Sequence, residues 1–262
     1  MEHGNWKIMK KQPGIINNAI QVGYKLIDTA SSYLNEEAIG DAIKINNRED
    51  LFISGKLWNS DRENVIEACK KTIANLKCEY LDLYLVHWPA AKALYDNWID
   101  INNNVWKQME ELVDLGLVKN IGVSNYKANQ LEELLKHAKI KPYINQIEFH
   151  PGFMQKDIVD YCKKQHIIVQ AWSPLGSGKM LKKQEIINLA EKYENKSPAQ
   201  ICLRWCLQND VIPVVKSTEI DRMKSNLDIF DFQITKEDMD YLNSLPYLGG
   251  SGLDSETLTL FG

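Results

Sequence analysis

Residues Lys25–Glu36 read KLIDTASSYLNE, a short apolar run that ends in an acid, hydroxyls and a phenol. Two later stretches end in the same manner. Leu51–Trp58, LFISGKLW, carries Lys56 near its end, and Leu81–Pro89, LDLYLVHWP, delivers His87. Short apolar runs bounded by polar residues read as buried strands. Strands that all finish on ionisable side chains gather their chemistry at one end, where a parallel α/β barrel carries its active site.

Outward from these three, the pattern repeats along the chain. Further strand-like runs are IGVSN at 121–125, INQIEFH at 144–150, IIVQAWS at 167–173 and VIPVVKS at 211–217. Between them lie segments with apolar residues at helical spacing, such as ENVIEACKKTIANL, NVWKQMEELVDLG, QLEELLKHA, KDIVDYCKKQ and EIINLAEKYE. Strands alternating with helices indicate βαβ units and a parallel sheet. Seven strands are clear, one short of a closed (β/α)8 barrel, so the eighth is expected in MEHGNWK at the start. The 262 residues suit one such domain, spanning 1–262.

Composition narrows the function. Thirty-one basic residues stand against 35 acidic ones, a net charge of −4, which disfavours nucleic acid as a partner. No run approaches the length needed to span a bilayer, and no secretory leader is visible. The five cysteines match no zinc spacing, and Cys202 and Cys206 in ICLRWCL read as packing on one helix face. These features fit a reduced, cytoplasmic protein without a metal.

The segment GYKLIDTASSYLNEEAIGDAI at 23–43 resembles a signature of the aldo-keto reductases, and so do GKLW, LVHWP, GLVKNIGVSNY, NQIEFHP, AWSPLGSGK and VIPVVKSTEIDRMKSN, in that order. The resemblance runs from about Gly4 to the C-terminus and points to short-loop members of the family. It implies a (β/α)8 barrel and an NADPH-dependent reductase of aldehydes or ketones. It departs at the start: the usual N-terminal hairpin is missing, Gly4-Asn5-Trp6 would end a truncated first strand, and the barrel bottom is expected to be uncovered.

The residue chemistry agrees with the resemblance. A carbonyl accepts hydride poorly unless its oxygen receives a proton, so a donor must reach that oxygen. Tyr33 is the natural donor, Lys56 would lower its pKa, Asp28 would balance Lys56, and a neutral His87 would orient the carbonyl. Each has a plainer reading alone: Asp28 as a helix cap, His87 as a hydrogen-bonded core histidine. Their gathering at neighbouring strand ends favours catalysis. Trp88 and Trp6 are expected to wall the substrate pocket, and His150 is read as structural.

None of these side chains supplies a hydride, so a cofactor is needed. Neither a Rossmann fingerprint nor a P-loop is present, since Ser173 and Met180 stand where the latter needs Gly and Ser or Thr. The resemblance places the carboxamide on Ser124, Asn125 and Gln146 and stacks the nicotinamide on Trp172. It places the pyrophosphate at Ser173, Leu175 and Gly176, with backbone N–H groups of the Gly-rich loop facing it. Lys216, Ser217, Arg222 and Asn226 would hold the NADPH 2′-phosphate. Val215 and Ser225 replace the family's usual Pro and Glu or Gln, which leaves the 2′-phosphate contacts in place and the adenine contact open. An NAD-linked dehydrogenase is the competing enzyme, and a non-catalytic NADP(H)-binding sensor or accessory protein is the alternative of another class. The expected partner is a small carbonyl compound, taken by a monomer or weak homo-oligomer. The stretch PAAKALYDNWIDINNN after His87 reads as a short loop, with Tyr95 and Trp98 as further pocket candidates.

Overall fold

The computed structural model describes residues 13–194 and 196–257. The expected strand ending at Trp6, and the barrel bottom beside it, lie outside these residues. The described chain groups into two compact units, one of residues 13–144 with 255–257 and one of residues 145–254.

The first unit alternates helix and strand: α1 Pro13–Val22, β1 Leu26–Asp28, α2 Glu36–Ile45, β2 Phe52–Leu57, α3 Val65–Asn75, β3 Leu81–Val86, α4 Trp98–Asp114, β4 Val118–Ser124 and α5 Ala128–Leu135. The strands are parallel and pair in chain order, with Asp28 opposite Ser54, Lys56 opposite Leu85, and Leu85 opposite Gly122. All six residues of β3 are buried. Burial on both faces is what a parallel strand between helices requires, and it explains the near-continuous apolar run LDLYLV. The exception, Asp82, is satisfied by the backbone N–H of Ile53 at 2.9 Å and by Arg48 at 2.8 Å.

One loop expectation is corrected. The segment after His87 is only half loop, because α4 begins at Trp98. Asn102 accounts for the early start: its side chain bonds both the N–H and the C=O of Ala90, at 2.8 and 3.0 Å, and so ties the first turns of the helix to the loop four residues past β3.

The second unit contains β5 Ile144–Glu148, whose first residue belongs to the first unit, then α6 Lys156–Lys164, β6 Ile168–Trp172, α7 Gln184–Lys192, α8 Pro198–Gln208, β7 Val211–Pro213, α9 Ile220–Leu227 and α10 Lys236–Ser244. Strand β7 pairs parallel with β6, Ala171 opposite Pro213, and is shorter than the run VIPVVKS suggested. Helix α8 starts with a capping box of Ser197 and Gln200 and with Pro198 in its first turn. Its Cys202 and Cys206 are buried and unpaired, and burial pushes the Cys202 thiol up to about 12.

Helix α2 shows how the signature segment shapes the site's surroundings. Buried Glu36 accepts from Thr72 Oγ1 and Asn75 Nδ2 of α3, each at 2.9 Å. Gly40 lies four residues on, on the same helix face. A Cβ there would meet the Asn75 carbonyl oxygen at 2.5 Å and the Leu76 carbonyl carbon at 2.8 Å. Backbone cannot rotate out of the way as a side chain can. Gly40→Ala gains about 1 kcal/mol of helix propensity, but overpacking of about 1–3 kcal/mol should outweigh it. A lowered urea midpoint is expected, and an unchanged or higher one would contradict the close approach.

Candidate active site

The register of β1 to β3 decides which side chains meet. Asp28 closes β1, Lys56 is the penultimate residue of β2, and His87 follows the last residue of β3. Tyr33 is delivered by a single 3-10 turn, Ser31–Tyr33, directly after β1. Leu34 then takes a left-handed conformation at φ 55°, which reverses the chain into α2.

The Lys56 ammonium is fully buried and forms a short ion pair with Asp28 Oδ2, whose side chain is only 7% exposed. It also donates to the Thr29 carbonyl at 3.1 Å. Its charge stands 5.1 Å from the centre of the Tyr33 ring. The Tyr33 and His87 rings meet edge-on, with centres 5.6 Å apart. All four expected members of the cluster are therefore brought together in the first unit.

Their protonation follows from burial and neighbours. Burial alone would drive the Lys56 pKa down, but Asp28 and Tyr33 outweigh it, so Lys56 is held above its ordinary value as a cation. His87 is pushed well below the usual imidazole range by burial and by the Lys56 charge, so it is neutral. Opposing influences act on Tyr33. Lys56 does act to lower the phenol's pKa, but burial raises it more and Asp28 adds to the rise, leaving it above the ordinary value.

Sequence reasoning gave Trp58 no role, yet its ring packs edge-on against His87 at 5.1 Å. The period of a strand was the available signal: residues two apart share a face, so Lys56 predicts the direction of its neighbour Trp58 just past β2. Arg62 was also missed, and its Nη2 donates to the Trp88 carbonyl at 3.1 Å. Trp88 itself is 7% exposed.

Ser124 ends β4, and Asn125 follows at φ 65°. Asn125 Nδ2 donates to the His87 carbonyl at 2.9 Å and to Ser124 Oγ at 3.0 Å, joining this pair to the cluster.

In the second unit, Gln146 of β5 is buried and donates to Gln170 Oε1 at 2.7 Å. Trp172 ends β6 and is half-buried. Next comes a loop that corrects another expectation. The N–H of Ser177 is taken by Ser173 Oγ at 2.8 Å, and those of Gly176, Gly178 and Lys179 by carbonyls within the loop. Closely spaced left-handed residues, Ser173, Gly176, Ser177 and Gly178, wind the loop so tightly that it uses its own donors. These four N–H groups do not face outward, whereas Ser173 and Ser177 remain with hydroxyls 3.1 Å apart at the exposed face.

Beyond β7, Lys216 and Arg222 are exposed, and Ser217 Oγ accepts from the Glu219 N–H at 3.2 Å just before α9. Arg222 lies in the first half of α9, while Asn226, one turn later, is buried. Glu219 and Asp221 flank this terminus.

Over residues 8–246 the sequence matches the family described as the Aldo/keto reductase family. The chain belongs to that family. Glyoxal reductase of Bacillus subtilis is 45% identical over 88% of this chain and 82% of its own length. The crystal structure of an aldo-keto reductase from a Medee basin deep-sea metagenome library superposes with a TM-score of 0.89 at 34% identity, covering 96% of this chain and 92% of that one. That of a Bombyx mori aldo-keto reductase in complex with NADP gives 0.80 at 35%, covering 90% and 82%. The fold class is thus the (β/α)8 barrel of the aldo/keto reductases, and the protein is an oxidoreductase of that family. Among the described residues no helix is long and apolar enough to cross a membrane.

The neutral state of His87 has a measurable cost in acid. Below about pH 6.5 an unfolded chain binds a proton that folded His87 refuses. The unfolded state then carries more protons, so stability is fully present above that pH and declines as pH falls toward the depressed folded value. His87→Gln should flatten the fall in urea midpoint between about pH 7 and 5. Parallel curves for the two proteins would show that His87 titrates normally.

Proposed function

We propose that this protein reduces aldehydes or ketones to alcohols with NADPH, with Tyr33 as the proton donor. The observation that carries the reading is the buried cluster in which an ion-paired Lys56 lies against the Tyr33 ring beside a neutral His87. Bound NADPH supplies the hydride to the carbonyl carbon. Tyr33 delivers a proton to the carbonyl oxygen, and a phenol held above its ordinary pKa is protonated and ready at neutral pH. The phenolate left behind is stabilised by the Lys56 cation until water returns the proton. Asp28 keeps Lys56 charged in a buried setting. His87, neutral and packed against Trp58, orients the carbonyl oxygen through a ring nitrogen. Its Nδ1 is buried without a hydrogen-bond partner among the described residues.

The donor set also suits the cofactor. Asn125 and Ser124 present amide and hydroxyl groups beside His87, matching a carboxamide. Gln146 and Trp172 complete the nicotinamide contacts in this reading, and the loop of Ser173, Leu175 and Gly176 takes the pyrophosphate, with the Ser173 hydroxyl at its exposed face. Lys216, Ser217 and Arg222 read the 2′-phosphate, with Asn226 behind them. The likeness to a glyoxal reductase supports small carbonyl compounds as substrates.

Tyr33→Phe keeps the ring and deletes only the donor. Turnover of a small dicarbonyl should fall by roughly a hundredfold or more, the usual scale of general acid catalysis, while NADPH still quenches tryptophan fluorescence. Near-normal turnover in this variant would remove Tyr33 from the mechanism. Arg222→Ala should weaken NADPH by roughly tenfold or more, the typical worth of about 1.5–3 kcal/mol for a charged hydrogen bond, and leave NADH nearly unchanged. An equal loss for both cofactors would show that Arg222 does not read the phosphate.

A further inference from the structure

The turn between β2 and α3 carries a charge that the reaction as described leaves unused. A single 3-10 turn, Asn59–Asp61, runs from Trp58 to Arg62. The two flanking side chains close on consecutive residues at the exit of β3. Trp58 packs edge-on against the His87 ring at 5.1 Å, and Arg62 Nη2 donates to the Trp88 carbonyl at 3.1 Å. The guanidinium therefore stands one residue along the backbone from the imidazole assigned to the carbonyl. Loops that follow barrel strands form the catalytic rim, and the loops after β2 and β3 both belong to it.

The backbone that carries Arg62 is fixed. Gln108 of α4 donates from Nε2 to the Arg62 carbonyl at 3.3 Å and accepts the Val65 N–H at 3.2 Å. The loop after β3 turns back toward the side chain. The N–H groups of Leu94 and Tyr95 both bond the Ala91 carbonyl, at 2.9 and 3.0 Å, and the Tyr95 ring centre lies 5.7 Å from the guanidinium carbon. An aromatic face steadies a cation without neutralising it.

The charge has no counter-ion. Among the described residues no carboxylate pairs with half-buried Arg62, and Asp61 beside it accepts from the Ser60 hydroxyl at 3.4 Å. Other cations with little exposure do face acids: Lys56 meets Asp28, Arg48 meets Asp82, and Lys196 meets Asp228 and Asp231. Arg204 of α8, also without an acid, spends its donors on Gln208 and the Ile229 carbonyl. Burial pulls the Arg62 pKa below its ordinary value, and the groups that oppose the fall are the phenols of Tyr126 and Tyr95 rather than any acid. A guanidinium stays charged even so, and it has more donors than the one that Trp88 uses. Partly desolvated, held in place and unneutralised, it is suited to an anion that arrives with a ligand.

We propose that Arg62 is a specificity-determining residue that receives a carboxylate on the substrate, so that the preferred carbonyl compounds are oxo acids. The inference rests on the reading of the site as a carbonyl reductase and narrows its substrate class. Glyoxylate and the meta and para carboxybenzaldehydes, each measured beside its methyl ester with NADPH, provide the test. The ester keeps the carbonyl and deletes the charge, so it is the reference for any change in the loop itself. In the wild-type protein at least one acid should exceed its ester in kcat/KM by roughly tenfold or more, the scale of a charged hydrogen bond. Arg62→Gln, which can still donate to the Trp88 carbonyl, should collapse that ratio by raising KM for the acid with little change in kcat. Arg62→Lys keeps the charge without the planar fork and should retain part of the ratio. Absence of any acid preference in the wild type would overturn the assignment. So would an equal loss for acid and ester in Arg62→Gln, which would mark Arg62 as a support for the loop. A wild-type protein that reduced neither acids nor esters with NADPH would overturn the carbonyl-reductase reading itself, and the inference with it.

Discussion

The contact between the Lys56 ammonium and the Asp28 carboxylate organises the first unit. A lysine with no exposed surface carries a large desolvation penalty unless a counter-charge and further acceptors are fixed beside it. The parallel register fixes them, setting the Asp28 end of β1 beside β2 while the Thr29 carbonyl takes another ammonium proton. Once Lys56 is a permanent cation, its neighbours follow. His87, already disfavoured as a cation by its burial, is pushed further toward neutrality, and Tyr33 feels a pull toward ionisation that burial overrides. Removing either partner would leave a bare buried charge, so the pair is better understood as a constraint on the site than as a source of stability.

The strand ends were legible because apolar runs finishing on ionisable residues are rare for any other reason. The meeting of Asp28, Tyr33, Lys56 and His87 could be read from the strand ends together with the family resemblance. The length of α4 could not, because its start depends on Asn102 reaching the Ala90 backbone, a contact invisible to local pattern. Trp58 went unassigned because a tryptophan beside a strand end usually means packing. The winding of the loop after β6 was hidden for another reason. A Gly-rich stretch permits both open and self-bonded conformations, and composition does not choose between them. Residues at the N-terminus, Trp6 among them, lie outside the described structure.

The direction of the Tyr33 shift also escaped the sequence. Opposing influences act on one phenol that is itself only partly buried, and their balance depends on how the groups around it shut out water. A neighbouring lysine can be inferred from strand order, but a degree of enclosure cannot. The same holds for Glu148, whose donors come from a segment more than a hundred residues further along the chain. Long-range partners of this kind are set by tertiary packing, to which local periodicity is blind.

The raised pKa of Tyr33 bears on the direction of the proposed reaction. Reduction asks this group to release a proton, and a phenol above its ordinary range is fully loaded at neutral pH. Oxidation of an alcohol asks the reverse, because the same oxygen must first be bare to accept one. Under the proposed role, the fraction of enzyme in that bare form is small near neutrality and grows tenfold with each pH unit toward the phenol's raised pKa. Under the proposed role a raised phenol pKa that makes Tyr33 a dependable acid also makes it a scarce base, so alcohol oxidation would gain from a rise in pH while carbonyl reduction would lose by it.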